Sequence, residues 1–236
     1  MDVAADFRAA RSFQGALDAF ADCADALGFD AIDYAYMPRV RRHDGGWHAP
    51  DIASRRFPPR WQRGWRRYAA LDPYLCTCYQ RTLPLDWNEV KDAAWLSPVQ
   101  REAIAFIDTL GFLDGITVPI HLPGGRFAFI SGVSHARRGA WRARETTEQF
   151  FVLAHGFHAA AAQHLSLGGE TVTTMLTSRE REVLRHAADG LSAAASAQAM
   201  RRALETVRHH RKSAMEKLGA RTMTQAVARA LSLGLV

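Results

Sequence analysis

The sequence has no apolar run that approaches the ~20 residues needed for a membrane-spanning helix. Its N-terminus, MDVAADFRAARSF, also lacks the basic and apolar regions of a signal peptide. We therefore expect a cytoplasmic protein that does not use a membrane as a partner. The motifs of nucleophile elbows, zinc proteases, dinucleotide-binding folds and P-loops do not occur either, so no motif predicts an enzyme.

Cysteine is scarce in this sequence. The three cysteines, Cys23, Cys76 and Cys78, are an odd number, and two of them form a C-x-C, so we expect reduced thiols instead of a disulfide framework. The histidines at 155, 158 and 164 fall in one predicted helix, but their spacing leaves the third off the shared face. The sequence therefore predicts no metal site and no cofactor.

Positive charge is concentrated at one end of the chain. The 236 residues carry a net charge of +6, and the last 67 residues hold 11 Lys and Arg against 6 Asp and Glu. The first 169 residues hold 19 against 18. With 48% hydrophobic residues the chain can fold as two domains, and only the basic C-terminal domain is expected to bind a polyanion.

The first two thirds of the sequence show the patterns of an α+β domain, for which we expect an antiparallel sheet sandwiched by helices. The patterns are an amphipathic helix before Gly28, strands at 31–37 and on both sides of a turn at 123–125, and helices at 97–110 and about 146–165. We assign residues 1–165 to this domain. Residues 166–175, SLGGETVTTM, are small and polar and are assigned to a linker.

Residues 55–68 interleave basic and aromatic side chains and allow two interpretations. Alone, such a tract can be a platform for single-stranded nucleic acid. However, Trp61, Trp65 and Tyr68 are spaced by four and three residues, which places them on one helical face with arginines on the others. The second interpretation is therefore a helix with an aromatic inner face and a basic outer face.

Residues 176–236 are predicted to form an all-α domain of four helices, which we call the head. Capping boxes begin the first and last helices at Thr177 and Thr222, while Gly190 ends the first helix and Ser192 caps the second. The third helix carries basic residues around an apolar stripe. Such a helix can enter the major groove of DNA and contact phosphates and guanine edges.

The head resembles the DNA-binding domain of the LuxR family of regulators. The matching positions are Glu180, Leu184, Gly190, Thr206, Val207, His210, Lys217, Leu218 and Gly219. By this resemblance Arg208 and Lys212 read bases, and Thr206 and His210 lie near the DNA backbone. The resemblance implies a DNA-binding set of Thr206, Arg208, His210, Arg211, Lys212 and Lys217.

The head departs from the LuxR pattern at two places. Ala195-Ser196-Ala197 stands where the family usually has Glu-Ile-Ala, and Ala203 replaces the usual Ser cap of the third helix. Because Ala at a cap costs about 1 kcal/mol, we expect the head to be marginally stable alone.

The N-terminal domain, which we call the sensor, more weakly resembles the autoinducer-binding domain of LuxR-type receptors. The resemblance rests on Trp61, Trp65, Asp72-Pro73, Trp87, Gly115 and Ser131. It implies that the indole of Trp61 and the carboxylate of Asp72 bind the lactone carbonyl and the amide N–H of an acyl-homoserine lactone. The implied ligand-binding set is Trp61, Trp65, Asp72, Trp87, Ser131, Tyr68, Thr117 and Ala35.

The sequence thus predicts a regulator of quorum-sensing type that binds an N-acyl or aryl homoserine lactone. As a homodimer it would bind a palindromic operator on double-stranded DNA, with RNA polymerase as a further partner. Trp65 stands where such receptors usually have Tyr, so the alternative is a LuxR solo that senses a non-lactone, such as a plant compound, or needs no ligand. An enzyme with an incidental basic tail is the third hypothesis. Asp33 is interpreted as an exposed strand-edge residue, and its alternative role is a second acid in the pocket.

Overall fold

The computed structural model describes residues 7, 9–42, 44–123, 125–135, 143–164 and 176–236. The chain separates into two compact units, and each is described by itself. The predicted linker at 166–175 lies outside the described residues, so its limits stay a prediction.

The first unit contains a five-stranded antiparallel sheet with helices on both faces, which confirms the predicted fold class. Its elements in chain order are α1 Phe13–Ala26, β1 Ala31–Met37, β2 Asp51–Arg55, α2 Pro59–Trp65, α3 Pro73–Cys78, β3 Leu85–Asp86, α4 Asn88–Lys91, α5 Pro98–Thr109, β4 Asp114–Leu122, β5 Arg126–Ser134 and α6 Arg144–His164. The strands lie side by side in the order β2-β1-β5-β4-β3.

Side chains that alternate along the central strands separate two apolar clusters, one on each face of the sheet. One cluster joins alternate residues of β1 and β5 to α1 and α6, with Phe20, Phe150 and Phe157 fully buried. The other cluster joins the opposite face to α2 to α5 and contains Trp61, Trp65 and other aromatic residues. Burial on both faces explains why every residue of β1 is buried.

The sequence patterns missed the two edge strands, β2 and β3. Strand β2 is half-exposed and carries Asp51 and Arg55, so it lacks a strong apolar alternation. Strand β3 has only two residues and is held by pairing with Thr117 and Ile116 of β4. In both cases the partner strand, not the local sequence, determines the extended conformation.

The second unit is all-helical, as predicted, with helices α7 Ser178–Ala188, α8 Ala193–Met200, α9 Leu204–Lys217 and α10 Met223–Ser232. The capping box at Thr177 and Glu180 is complete, and Ala203 provides no side-chain cap for α9. The second box is incomplete. Thr222 accepts from the N–H of Gln225, but the Gln225 side chain accepts from the N–H of Arg221, one residue before the cap.

The described part of the chain contains no helix long and apolar enough to span a membrane.

Candidate functional site

A row of polar side chains crosses the sheet on the face covered by α2 to α5. Asp33 of β1 is paired with Ser131 of β5, and Ser131 is paired with Thr117 of β4. The hydroxyl oxygens of Thr117 and Ser131 lie 3.2 Å apart, and the indole N–H of Trp87 donates to Thr117 over 2.8 Å. The register of three strands therefore places polar groups in the middle of an apolar layer.

Trp87 can lie against β4 because the strand has a glycine beside it. A Cβ added at Gly115 would lie 2.8 Å from the Trp87 ring, closer than a van der Waals contact. On its other side the ring stacks on Tyr74, with centroids 4.1 Å apart and planes 13° apart. Gly115 and Tyr74 thus fix the orientation in which the indole reaches Thr117.

Asp72 enters the same layer from α3. The Asp-Pro pair begins this helix because Asp72 caps it and Pro73 needs no N–H in the first turn. The Asp72 carboxylate accepts from the N–H of Tyr74 over 2.8 Å, and the residue is buried. Capping therefore holds an acidic side chain inside the sensor.

An inner cavity lies among these groups. It has a volume of about 20 Å³, room for about one water molecule. Its walls are Asp33, Ile52, Phe57, Trp61, Trp65, Asp72, Tyr74, Trp87, Ile107, Phe129 and Ser131. A larger cleft of about 320 Å³ shares Ile52, Trp61 and Trp65 with it. The two spaces are thus separated by a wall of three side chains.

Three polar atoms on the walls of the inner cavity are buried without a hydrogen-bond partner in the described part of the chain. They are Oδ1 of Asp33, Nε1 of Trp61 and the hydroxyl of Tyr74. Buried polar groups are normally paired, and one left unpaired costs about 1–3 kcal/mol. The cavity therefore offers an unused acceptor and two unused donors to a ligand.

The two acids of the cavity have strongly raised pKa values. Burial raises the pKa of Asp33 from 3.8 to about 8, with a further rise from the Asp72 charge and a lowering by the Ser131 hydroxyl. Burial likewise raises the pKa of Asp72 to about 7, against hydrogen bonds from the backbone of Tyr74 and Leu75. Since Asp33 is only 8% exposed, the favoured interpretation as an exposed strand-edge residue is wrong.

Most of the predicted ligand-binding set reaches the inner cavity. Trp61, Trp65, Asp72, Trp87 and Ser131 line it. Three others line neither space: Tyr68 packs on Trp65 and Phe106, Thr117 is bonded to Trp87 and Ser131, and Ala35 is buried in the adjoining apolar cluster. The sequence reasoning missed the wall residues Tyr74, Phe57, Ile52, Ile107 and Phe129. Of these, Phe129 could have been predicted from the sequence. It lies two residues before Ser131 on the same strand, so its side chain points to the same face of the sheet.

The basic and aromatic tract does not form a nucleic-acid platform. Trp61, Trp65 and Tyr68 are buried, so their rings are not available for stacking on bases. Arginines of the tract make contacts within the sensor: Arg56 with Asp22 and Asp25 at 2.9 and 2.7 Å, Arg67 with Glu102 at 2.9 Å, and Arg55 with Asp18. The interpretation as a helix with an aromatic inner face agrees for Trp61 and Trp65, whereas α2 ends at Trp65 and Tyr68 is buried in the turn that follows.

His158 has a structural partner in the sensor. Its Nδ1 lies 3.1 Å from the hydroxyl of Tyr34, and burial lowers the pKa of His158 to about 4. Within the described residues no group of three or more His, Cys, Asp or Glu could hold a metal ion.

The whole predicted DNA-binding set lies on one helix of the head, α9, and part of it is exposed. Thr206, Arg208 and Lys212 of α9 are exposed, and His210 is half-buried. Arg208 and Lys212 face acids on their own helix, Glu205 at 2.6 Å and Glu216 at 3.8 Å. These exposed ion pairs contribute little to stability, so they leave both cations accessible to DNA.

Arg211 and Lys217 make contacts within the head. Arg211 donates to the Leu191 carbonyl over 2.7 Å and to the Ser196 hydroxyl over 3.1 Å, which ties α9 to α8. Lys217 donates to the buried carboxylate of Glu180 over 2.8 Å. Arg211 and Lys217 therefore contribute to the packing of the head, and their predicted DNA contacts stay a prediction.

Two family matches cover most of the chain. Residues 12–161 match the family described as Autoinducer binding domain, and residues 174–230 match the family described as Bacterial regulatory proteins, luxR family. The chain belongs to the LuxR family of regulators. It is a member with a small-molecule-binding domain and a DNA-binding domain, and the family is one of transcription regulators, not of enzymes.

Individual relatives agree with this assignment. Transcriptional activator protein BjaR1 of Bradyrhizobium diazoefficiens is 28% identical over 228 residues, which cover 94% of this chain and 89% of BjaR1. The HTH-type transcriptional regulator y4qH of Sinorhizobium fredii is 28% identical over 180 residues, which cover 73% of this chain and 54% of y4qH. The match therefore spans about half the length of y4qH.

The fold of this LuxR-family chain is similar to that of SdiA. A crystal structure of Escherichia coli SdiA has a TM-score of 0.73 at 20% identity, covering 98% of this chain and 94% of SdiA. SdiA in complex with octanoyl-rac-glycerol has a TM-score of 0.69 at 21% identity, covering 98% and 93%.

Proposed function

We propose that the protein is a quorum-sensing type regulator whose sensor binds a small amphiphilic signal, with an N-acyl or aryl homoserine lactone as the first class to test. The observation that carries this proposal is the enclosed cavity with unpaired polar atoms of Asp33, Trp61 and Tyr74. A ligand carbonyl would accept from the Trp61 indole, and a ligand amide would donate to Asp72. Such a ligand would remove the cost of the unpaired Trp61 indole N–H.

The apolar part of the ligand would extend from the inner cavity into the larger cleft. A volume of about 20 Å³ cannot hold an acyl chain, whereas the neighbouring cleft of about 320 Å³ is within the range of small-molecule pockets. Rotation of Trp61 or Trp65, the shared wall, would join the two spaces. The octanoyl-rac-glycerol in the SdiA complex is an acyl chain on a polar head, and we propose the same general type of ligand here.

The head would bind double-stranded DNA through α9. Arg208 and Lys212 are exposed and one turn apart on this helix, as expected for side chains that enter the major groove. We propose that two chains bind a palindromic operator as a homodimer and that RNA polymerase is a further partner. We also propose residues 1–165 as sensor, 166–175 as linker and 176–236 as head.

The sensor is tested with full-length protein purified with and without N-octanoyl homoserine lactone, followed by mass spectrometry of the extracted ligand. Asp72→Asn is expected to lower lactone retention at least tenfold, because the amide loses its anionic acceptor. Asp22→Asn, at an exposed acid on α1, is the matched control. Equal retention by Asp72→Asn and the wild type would contradict the assignment.

The head is tested separately by binding to selected operator DNA. Arg208→Ala and Lys212→Ala are each expected to weaken specific binding by about 1–3 kcal/mol, the cost of losing a good base contact. Arg179→Ala, at an exposed ion pair on α7, is the control. Unchanged operator affinity in both α9 variants would refute DNA reading by this helix.

A LuxR solo with a non-lactone signal is the second candidate function. The observation that favours it is Trp65, an indole at the cavity wall where lactone receptors usually have the hydroxyl of Tyr. Protein that is soluble and binds operator after purification without lactone would support this candidate.

A further inference from the structure

Asp33 and Asp72 approach the same small cavity from opposite elements of the sensor. Asp33 lies on β1 in the floor of the sheet, and Asp72 lies at the start of α3 in the layer above it. Both line the inner cavity, and their charges act on each other. One acid is enough to accept the N–H of one ligand amide. The second acid therefore indicates a ligand group with more than one N–H donor.

Within the described residues, the groups that act on the two acids include no positive charge. Burial has the largest effect on both pKa values, followed by the Asp72 charge and the Ser131 hydroxyl for Asp33 and by the backbone N–H groups of Tyr74 and Leu75 for Asp72. The other titratable groups near them are the Tyr74 hydroxyl and the Cys76 and Cys78 thiols, which are influenced by the Asp72 charge and are neutral. In the described part of the chain, Arg41 and Arg81 act on those cysteines, not on the two acids.

Aromatic rings form much of the remaining wall. Trp61 stacks on Phe57 with centroids 4.3 Å apart, Tyr74 stacks on Trp87, and Trp65 closes the wall toward the cleft. The faces of such rings attract cations, most strongly where water is excluded. Two carboxyl groups and the rings of Trp61, Trp65 and Tyr74 around one cavity form a site suited to an ammonium group.

A neutral lactone leaves this arrangement incomplete. Its amide has one N–H, which would satisfy Asp72 and leave Oδ1 of Asp33 without a donor. A protonated amine has up to three N–H donors and a positive charge, so it can serve both acids at once.

We propose that the sensor of this protein takes an amphiphilic ligand with a protonated amine at its polar end, held by Asp33 together with Asp72. This inference rests on the proposed ligand-binding role of the sensor and specifies the chemical class of the ligand. Asp33 then acts as a specificity-determining residue that favours amines over neutral heads.

Binding of an amine is coupled to proton release. In the empty site Asp33 holds its proton at neutral pH, because its pKa is raised to about 8. The ammonium group favours the ionised carboxylate, so binding expels this proton. Affinity for an amine therefore rises with pH until the amine itself loses its proton, and ionisation of Asp33 contributes up to about tenfold per unit below pH 8. Ionisation of Asp72 adds a further rise below pH 7, which a lactone that donates to Asp72 shares. A neutral lactone shows no such rise from Asp33.

The test compares three probes with the same acyl chain on the full-length protein, by isothermal titration calorimetry at pH 6, 7 and 8. The probes are N-(2-aminoethyl)octanamide, N-octanoyl homoserine lactone and octanoylglycerol. The amine is expected to bind at least tenfold more tightly than the other two at pH 8. Titration at pH 6 and 7 in two buffers of different ionisation enthalpy is expected to show about one more proton released with the amine than with the lactone, because both ligands ionise Asp72 and only the amine ionises Asp33.

The Asp33→Asn variant removes the carboxylate charge and keeps the shape of the side chain. It therefore distinguishes binding that depends on this charge from binding that depends on the shape of the pocket. This variant is expected to lower amine affinity at least tenfold and to change lactone affinity less than threefold, whereas Asp22→Asn should change neither. If Asp33→Asn is not folded, the pH profile and the proton release of the wild type decide the question.

The outcomes distinguish this inference from the proposed function. Lactone or glycerol binding as tight as amine binding, or equal losses of lactone and amine affinity in Asp33→Asn, overturns the inference and leaves a ligand-binding sensor. Absence of binding by all three probes to a protein that still binds operator overturns both. Tighter amine binding with proton release supports both.

Discussion

Replacing Asp33 by Asn is expected to stabilise the ligand-free sensor, and the gain is expected to depend on pH. Asp33 is buried beside a second acid, and its pKa is raised from 3.8 to about 8. An acid whose pKa is raised on folding binds its proton more tightly in the folded state. The folded state is therefore favoured at low pH and loses stability as the pH rises from about 4 to about 8.

The expected magnitude follows from the size of the shift. Each pKa unit corresponds to 1.36 kcal/mol, so Asp33 costs the folded sensor about 4 kcal/mol at pH 7 and about 1.5 kcal/mol at pH 5. Asn has a similar shape and no charge, so Asp33→Asn is expected to recover most of this difference. The gain should thus shrink by about 2–3 kcal/mol between pH 7 and pH 5.

The assay is urea unfolding followed by tryptophan fluorescence at pH 5, 6, 7 and 8. All six tryptophans lie between residues 47 and 141, so the signal reports on the sensor and is blind to the head. Comparing the variant with the wild type at each pH removes common contributions. One of these comes from His158, whose lowered pKa destabilises the folded state as the pH falls below 6.5.

The result that refutes this reasoning is a constant difference between the variant and the wild type from pH 5 to pH 8. Such a result would mean that the Asp33 carboxyl titrates in the folded sensor as it does in the unfolded chain. Destabilisation of the variant at pH 7 would refute it as well, because the Asp33 carboxylate would then have a favourable partner.

Two further substitutions test packing in each unit. Glu180→Gln is expected to destabilise the head by about 2 kcal/mol in thermal unfolding of residues 176–236 by circular dichroism, because Glu180 accepts from Lys217, Ser213 and Thr177. Glu182→Gln, at an exposed pair with Arg179, is the control, and equal effects would contradict a special role for Glu180. Gly64→Ala is expected to destabilise the sensor by about 1–3 kcal/mol in urea unfolding, since the new Cβ would lie 2.6 Å from Cε2 of Phe106. Gly156→Ala, which meets Phe7 only at 3.9 Å, should be neutral or stabilising, and a neutral Gly64→Ala would show that Phe106 moves aside.

The sequence was most informative where local chemistry alone determines a feature. Capping by Ser97, Thr177 and Ser192 follows from side chains that accept nearby N–H groups, and these helix starts agree with the structure. Asp72-Pro73 begins a helix for the same local reason. The capping box at Thr222 is incomplete, because Gln225 has a choice of N–H groups that the sequence alone does not resolve.

The site was less predictable because tertiary contacts determine which polar residues are buried. Asp33 lies in an alternating strand, and nothing local indicates that both faces of β1 are covered. Its burial depends on pairing with β5 on one side and with the missed edge strand β2 on the other. Likewise, Arg211 donates to Ser196 in a different helix, and the sequence alone does not indicate that contact.

The burial of Asp33 also bounds how strongly a ligand can act on this sensor. A ligand shifts a conformational equilibrium only by the difference in its affinity for the two states. Asp33 destabilises the folded sensor by about 4 kcal/mol at pH 7, which corresponds to about a thousandfold difference in an equilibrium constant. A ligand that neutralises Asp33 gains this difference in affinity, and a ligand that does not contact Asp33 does not. The same acid therefore links two properties. Asp33→Asn should make the sensor stable without a ligand and, in the same step, remove most of the energy through which an amine would stabilise it further.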